Sequence, residues 1–292
     1  MANLKEIRNR ITSVNSTMQI TSAMKMVSAA KLKRAQDAIT QMKPYAEKLQ
    51  EILTNLSSSL DASENEYAQE RKVKNVLIVG VTSKRGLCGG FNNNVAKKIK
   101  ALAASEFKDC NLSVLPVGKK IIDAIKYTEW TSKDEDLYQN PEGIWNDLTF
   151  VNGSKMADTL MDAYKDERYD KIVVVYNSFI NAASQIVKTE QFLPIEVAEE
   201  SNEANAIDYV YDPSKKEIVK DLIPNSLKVQ LYKALLDSHA SEHGARMTAM
   251  HQATDNATDL KKELQLTYNK ARQAAITSEI LEIVGGAEAL AN

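Results

Sequence analysis

Glycine and proline are almost absent from both ends of this chain. Residues 1–79 contain no glycine and one proline, Pro44, while residues 225–284 contain no proline and one glycine, Gly244. Helix interiors exclude these two residues most strongly, at about 1 and 3 kcal/mol per site. Two long helices therefore flank a middle segment, between Gly80 and Pro224, that holds nearly all the punctuation.

The first helix is tested by counting. Alternating steps of three and four from Leu4 pass through Ile7, Ile11, Val14, Met18, Thr21, Lys25, Ser28, Leu32, Ala35, Ile39, Met42, Ala46, Leu49, Leu53, Leu56 and Leu60. All of these are apolar except Thr21, Lys25 and Ser28. A seven-residue repeat held this long marks a coiled-coil seam rather than the stripe of a globular helix. Pro44 lies off the seam and is expected to bend the helix without changing its register. The C-terminal segment carries a weaker match in Leu236, Ala240, Met247, Met250, Ala257, Leu264, Tyr268, Ala271 and Ala275. Each helix is roughly 90 Å long at about 1.5 Å per residue. Two such helices joined at one end by a middle domain can bury each other's seams, antiparallel; two separate homodimeric coils are the alternative. Aromatics at 6% are sparse for one large compact core, which agrees with an extended architecture.

The middle reads as α/β. Strands are predicted at 73–81, 112–117 and 171–176, and helices at 92–107, 121–127 and 154–164, so the sheet is mostly parallel. Residues 185–192 read as an antiparallel edge strand, and 57–72 and 199–212 as polar joints. The predicted fold is thus an α/β domain, Rossmann-like, over 73–198, plus a long antiparallel two-helix coiled coil formed by segments 1–60 and 213–292.

Lys plus Arg total 37 against 39 Asp plus Glu, which excludes a globally basic nucleic-acid binder. The charge is uneven, however: residues 1–36 hold seven bases and one acid. No apolar run approaches the roughly 20 residues of a membrane helix. The N-terminus mixes charge and hydrophobe too evenly for a signal peptide. Two cysteines, Cys88 and Cys110, are too few for a disulfide scaffold and fit a reducing compartment.

Three constellations could carry chemistry. The turn after the first strand, Gly86-Leu87-Cys88-Gly89-Gly90, sits where dinucleotide folds hold a pyrophosphate. Its spacing matches neither phosphate-binding pattern, and no acid closes the second strand. A tight turn packing helix on sheet is the better reading. His239-Ala240-Ser241-Glu242-His243 spells an inverted zinc-protease signature. It would put two imidazoles one turn apart beside a carboxylate. Its place inside a long coil leaves no cleft for a peptide, so metal is not expected. Third, Lys25, Lys31, Lys33 and Arg34 cluster where the seam turns polar, with Met24, Met26 and Val27 beside them. That pattern fits a shaft touching an acidic partner; an ordinary solvated helix face is the alternative.

The two ends carry a specific resemblance. Ile11-Thr12-Ser13-Val14, Ile20-Thr21-x-Ala23-Met24-x-Met26-Val27 and Lys31-Leu32-x-Arg34-Ala35 resemble the N-terminal helix of the gamma subunits of F-type ATP synthases. Ser241-Glu242-His243-x-x-Arg246-Met247 and Tyr268-Asn269-x-Ala271-Arg272-Gln273-Ala274 resemble the C-terminal helix of that family. The glycine-rich stretch resembles it too, with Lys84 where the family usually has an acid. The resemblance covers the whole chain and is weakest around 128–150.

What the resemblance implies is a rotary shaft with no active site and no cofactor of its own. Its coil would stand inside a ring of alpha and beta subunits, and its foot on the membrane rotor ring of c subunits beside the epsilon subunit. Proton flow would turn it, driving the beta sites through their states. By the same resemblance, Arg272 and Gln273, with Thr277, Glu279 and Glu282, meet a beta-subunit loop. Met24 and Lys25 face an acidic beta segment, and Arg246 belongs to the gamma–beta coupling network. Tyr209, Tyr211 and Asp212 match the foot region that touches the rotor ring. The chloroplast-type insertion with its regulatory cysteine pair is missing, so thiol regulation is not expected. The absence of a transit peptide points to the cytoplasmic face of a bacterial cell membrane, with peripheral attachment. A free-standing coiled-coil scaffold and a dinucleotide-binding enzyme are the rival classes.

Overall fold

A computed structural model describes residues 4–57, 66–69, 71–132, 134–138, 143–195 and 215–291. The chain resolves into two compact units: residues 1–28 with 247–292, and residues 29–246. The two long helices, α1 (Leu4–Ser57) and α5 (Lys215–Ala291), contribute to both.

In the first unit the two helix segments run antiparallel. Thr21 Oγ1 lies 2.7 Å from Thr254 Oγ1, Thr258 Oγ1 donates to Met18 Sδ at 3.4 Å, and Lys261 Nζ donates to Asn15 Oδ1 at 2.8 Å. As the numbers on α1 fall, those on α5 rise. The seam read from the sequence is the buried edge. Ile7, Thr21 and Ser28 are buried, and Leu4, Ile11, Val14, Met18 and Lys25 are half-buried. The facing edge of α5 buries Met250 and Ala257 and half-buries Leu264, Tyr268, Ala271 and Ala275. Thr21 interrupts the apolar seam in the sequence, yet it is buried, because its hydroxyl is satisfied by Met18 O and by Thr254 across the seam.

The second unit is built on a four-stranded sheet in the order β2-β1-β3-β4. Strands β1 (Asn75–Val81), β2 (Asn111–Val117) and β3 (Lys171–Phe179) are parallel, and β4 (Gln185–Leu193) pairs antiparallel on the β3 edge. Buried parallel strands read as continuous aliphatic runs, as 76–79 and 172–175 do. One sheet face packs α2 (Phe91–Ala104) and α3 (Lys119–Ile125) through Val76, Ile78, Val95, Ile99, Ile121 and Val173. The other packs α4 (Phe150–Lys165) and α5 through Leu77, Val79, Met156, Leu160, Leu227, Leu231 and Leu235. Gly80 permits the close approach of α2, since a Cβ there would sit 2.9 Å from Ile99 Cδ1.

The last helix, expected within 213–292, is α5 from Lys215, and it passes through Pro224. Ile223, Leu227 and Leu231, one turn apart, are buried in the core, and that burial outweighs a missing backbone bond. The helix expected from 154 starts at Phe150 instead, where Thr149 caps it by accepting from Asn152 N. Pro44 leaves the seam in register, with Met42 and Ala46 half-buried and Leu49 buried. No helix among the described residues is long and apolar enough to cross a membrane.

Candidate functional site

A buried polar cluster within the second unit centres on Arg246, which is only 7% exposed. Its Nη1 donates to Glu242 Oε1 at 2.5 Å, one helical turn back, and lies 3.4 Å from His243 Nδ1. Its Nη2 donates to the carbonyls of Arg85 at 3.1 Å and Gly86 at 3.3 Å. The guanidinium thus spends its fork on a carboxylate and on the glycine-rich turn, as a buried cation must. Burial raises the Glu242 carboxyl above the ordinary range, and the Arg246 charge opposes that shift.

The turn itself is closed on its own groups. Ser83 N and Oγ both donate to Asn92 Oδ1, at 2.9 and 3.0 Å, and Ser83 Oγ also reaches Arg85 O at 2.5 Å. Asn92 Nδ2 donates to Cys88 Sγ at 3.1 Å, and burial pushes the Cys88 thiol up. Leu87 and Gly89 sit at φ 63° and 59°, the left-handed region. The carbonyls of the turn converge on a cation, the opposite polarity to an anion-binding turn. The geometry agrees with the packing-turn reading of this stretch.

The H-x-x-E-H signature also resolves into packing. His243 Nε2 and His239 Nε2 face each other at 3.1 Å, with their rings edge to face. Because Arg246 donates toward His243 Nδ1, the network assigns the His243 proton to Nε2, which donates to His239. Trp145 stacks on His239 at 5.8 Å between centroids. Burial first, then the charges of Lys31 and Arg246, lowers His239 to about 4. Burial, the neighbouring His239 and the same two cations lower His243 to about 3. Both are neutral at pH 7. Glu242 is turned to Arg246 rather than to the imidazoles, and no cluster of three or more potential ligands occurs among the described residues. Metal analysis of the purified chain is expected to find no stoichiometric zinc; one zinc per chain would overturn this assignment.

The residues named from the resemblance fall into three groups. Arg272, Gln273, Thr277, Glu279 and Glu282 are all exposed on α5. Arg272 and Glu279, seven apart, share a face, and Gln273 and Thr277 adjoin it, so the set wraps more than half of the helix. Thr277 Oγ1 donates to Gln273 O at 2.9 Å, and Ser278 Oγ reaches Glu282 Oε1 at 3.4 Å. Met24 and Lys25 are half-buried on α1. Arg246 is turned inward on its own chain. Tyr209, Tyr211 and Asp212 lie outside the described residues. Sequence reasoning missed the Arg246 clasp on the turn. A Glu-x-x-x-Arg pair is readable as an i,i+4 contact, but its carbonyl partners, about 160 residues away, leave no side-chain signature.

Comparison with known proteins accords with this fold. A family model described as ATP synthase matches residues 3–290. The ATP synthase gamma chain of Christiangramia forsetii is 60% identical over 291 residues, covering 99% of each chain, and that of Flavobacterium psychrophilum is 59% identical over the same length and coverage. Among solved structures, the rotor of the Euglena gracilis mitochondrial ATP synthase contains a chain of similar fold. It has TM-score 0.64 and 20% identity, over 94% of this chain and 98% of that one. A chain from the OSCP/F1/c-ring assembly of the same enzyme gives TM-score 0.67 at 22% identity, over 98% and 94%. With such identity along nearly its whole length, the chain belongs to the ATP synthase gamma chains.

Proposed function

We propose that this chain is the central rotor shaft of an F-type ATP synthase, without an active site of its own. It couples proton flow through the membrane ring of c subunits to ATP synthesis and hydrolysis on the beta subunits. In this reading, segments 1–60 and 213–292 form the shaft, and 73–198 forms the foot beside the epsilon subunit. The complex sits on the cytoplasmic face of a bacterial cell membrane, with this chain attached peripherally. The full-length match to gamma chains is the observation that carries the reading.

The geometry of α5 supports it. Paired positions on α1 and α5 sum to about 276, so Leu4 stands opposite roughly residue 272. Beyond that point no described α1 residue remains to cover α5. Yet Ile276, Ile280, Leu281, Ile283 and Val284 are exposed there, Ile283 by 71%. Bare apolar side chains concentrated at one helix end mark a surface that other subunits enclose. Arg272, Gln273, Thr277, Glu279 and Glu282 border the same stretch, in keeping with contact to a beta-subunit loop. Met24 and Lys25 are proposed to face an acidic beta segment, and Tyr209, Tyr211 and Asp212 the rotor ring. Co-purification tests the reading directly: the tagged chain should bring down alpha, beta and epsilon subunits and the c ring at fixed stoichiometry. Recovery of the chain alone from cells expressing all of them would refute it.

Met24→Lys probes the proposed acidic contact. The new cation stands beside Lys25, and an ion pair partly desolvated at an interface is worth about 1 kcal/mol or more. An added bond in one rotary position raises the barrier to leaving it. The assembled complex is expected to hydrolyse ATP at a near-normal rate but to pump protons poorly. Unchanged pumping in membrane vesicles would exclude the contact.

A further inference from the structure

We infer that Arg246 is the positioning residue that holds the 82–90 turn in a strained shape and ties it to α5, so that lateral load on the turn passes into the shaft helix. The inference rests on the shaft reading. Three observations carry it. Leu87 is a branched residue in left-handed backbone, at φ 63°, a conformation that persists only where the surroundings enforce it. It is 65% exposed, so its own side chain does little to hold it there. The constraint comes from the two carbonyls immediately before it, Arg85 and Gly86, which Arg246 Nη2 draws together at 3.1 and 3.3 Å.

The clasp is built to carry force. Glu242 fixes the other arm of the guanidinium at 2.5 Å, and both side chains are buried, so neither bond is traded for water. Ser83 Oγ donates to Arg85 O, and Ser83 N donates to Asn92 Oδ1 at the start of α2. Thr82, one residue earlier, donates from its N to Val117 O at 2.8 Å and accepts from Ile121 N at 3.0 Å. The turn is therefore fixed to β2, α2 and α3 on one side, and Arg246 bonds it to α5 on the other. Lys84, Arg85 and Leu87 project outward from it. Without Arg246 the exposed tip relaxes, and what pushes on it loses its direct link to α5.

The test uses the full chain and the assembled complex. Glu242→Gln with Arg246→Met removes both halves of the pair together, leaving no unpaired buried charge. Amide exchange at Ser83 and Phe91, whose N–H groups bond inside the turn, is expected to accelerate about tenfold or more, while Val79 in β1 keeps its protection. Adding Leu87→Gly should return part of the lost protection, because glycine adopts that φ without steric cost. Arg246→Lys, which keeps the charge but not the fork, should fall between. In membrane vesicles the double variant should move fewer protons per ATP hydrolysed. Unchanged exchange at Ser83 and Phe91 overturns the positioning role. Faster exchange with an unchanged proton-to-ATP ratio overturns the load path and leaves the shaft reading standing. If the variants assemble with no alpha or beta subunit partner at all, as the unaltered chain also would in that case, the shaft reading itself has failed.

Discussion

Lowering the pH from 7 toward 3 is expected to cost the folded chain about 3–6 kcal/mol through His239 and His243. Unfolded, both imidazoles take up protons near 6.5, whereas in the folded chain they resist until about 4 and about 3. Each unit of difference is worth about 1.36 kcal/mol, and the shared Nε2 contact keeps the two contributions from adding fully. The folded values are depressed, so the stabilisation is complete above pH 6.5, declines as the pH falls through the window down to about 3, and is flat below. A second proton would force two imidazolium N–H groups together at 3.1 Å beside Arg246 and Lys31. Glu242, whose carboxyl is raised, acts in the opposite direction, losing its contribution as the pH rises. A His239→Asn, His243→Gln variant retains Glu242 and so isolates the imidazoles. Urea midpoints measured from pH 7 to 3.5 should fall steeply for the unaltered chain and shallowly for the variant. Equal slopes would show that these two residues do not set the acid limit.

Arg272→Ala is expected to slow ATP turnover of the assembled complex by about 10- to 150-fold. Among the described residues no hydrogen bond or ion pair engages Arg272, and its side chain is exposed. It offers five donors, and adjacent Gln273 offers donor and acceptor about 100° around the helix, a set suited to an acidic, hydroxyl-bearing loop that wraps it. Charge-assisted bonds of this kind are worth roughly 1.5–3 kcal/mol in the one rotary position where they form. Assembly should survive, because the buried seam of the coil is untouched. On an ordinary solvated helix the same change stays within about 0.5 kcal/mol. A normal rate in a complex of normal stoichiometry therefore rejects the latch.

The coil was readable from its heptad period and the sheet from continuous aliphatic runs. The seam from Leu4 to Leu49 is the buried or half-buried edge of α1, position by position, and the runs at 76–79 and 172–175 are strands covered on both faces. The antiparallel edge strand expected at 185–192 is β4 (Gln185–Leu193). What keeps α5 helical through Pro224 is not local, because proline is a stop signal on its own and the distant core that buries Ile223 and Leu227 overrides it. Thr21 was legible as polar but not as satisfied, since its partner Thr254 lies 233 positions away. The Arg246 centre divides in the same manner. Its link to Glu242 is a local spacing, while its hold on the Arg85 and Gly86 carbonyls is a long-range backbone contact that no side-chain pattern records.

The hydroxyl and amide contacts across the coil also set how the two helices resist sliding. A seam of small residues such as Ala257 and Ala271 offers little to stop axial slip, since one alanine fits where another did. The cross-bonds Thr21–Thr254, Met18–Thr258 and Asn15–Lys261 work as teeth. A slip of one heptad, about 10.5 Å, would set Thr21 against either Lys261 or Met247 and leave its buried hydroxyl without the partner it has across the seam. Polar teeth of this kind cost stability but allow one register only. A two-stranded rod under twist shears along its seam before it breaks, so a splined seam keeps the far end of the rod in step with the near end.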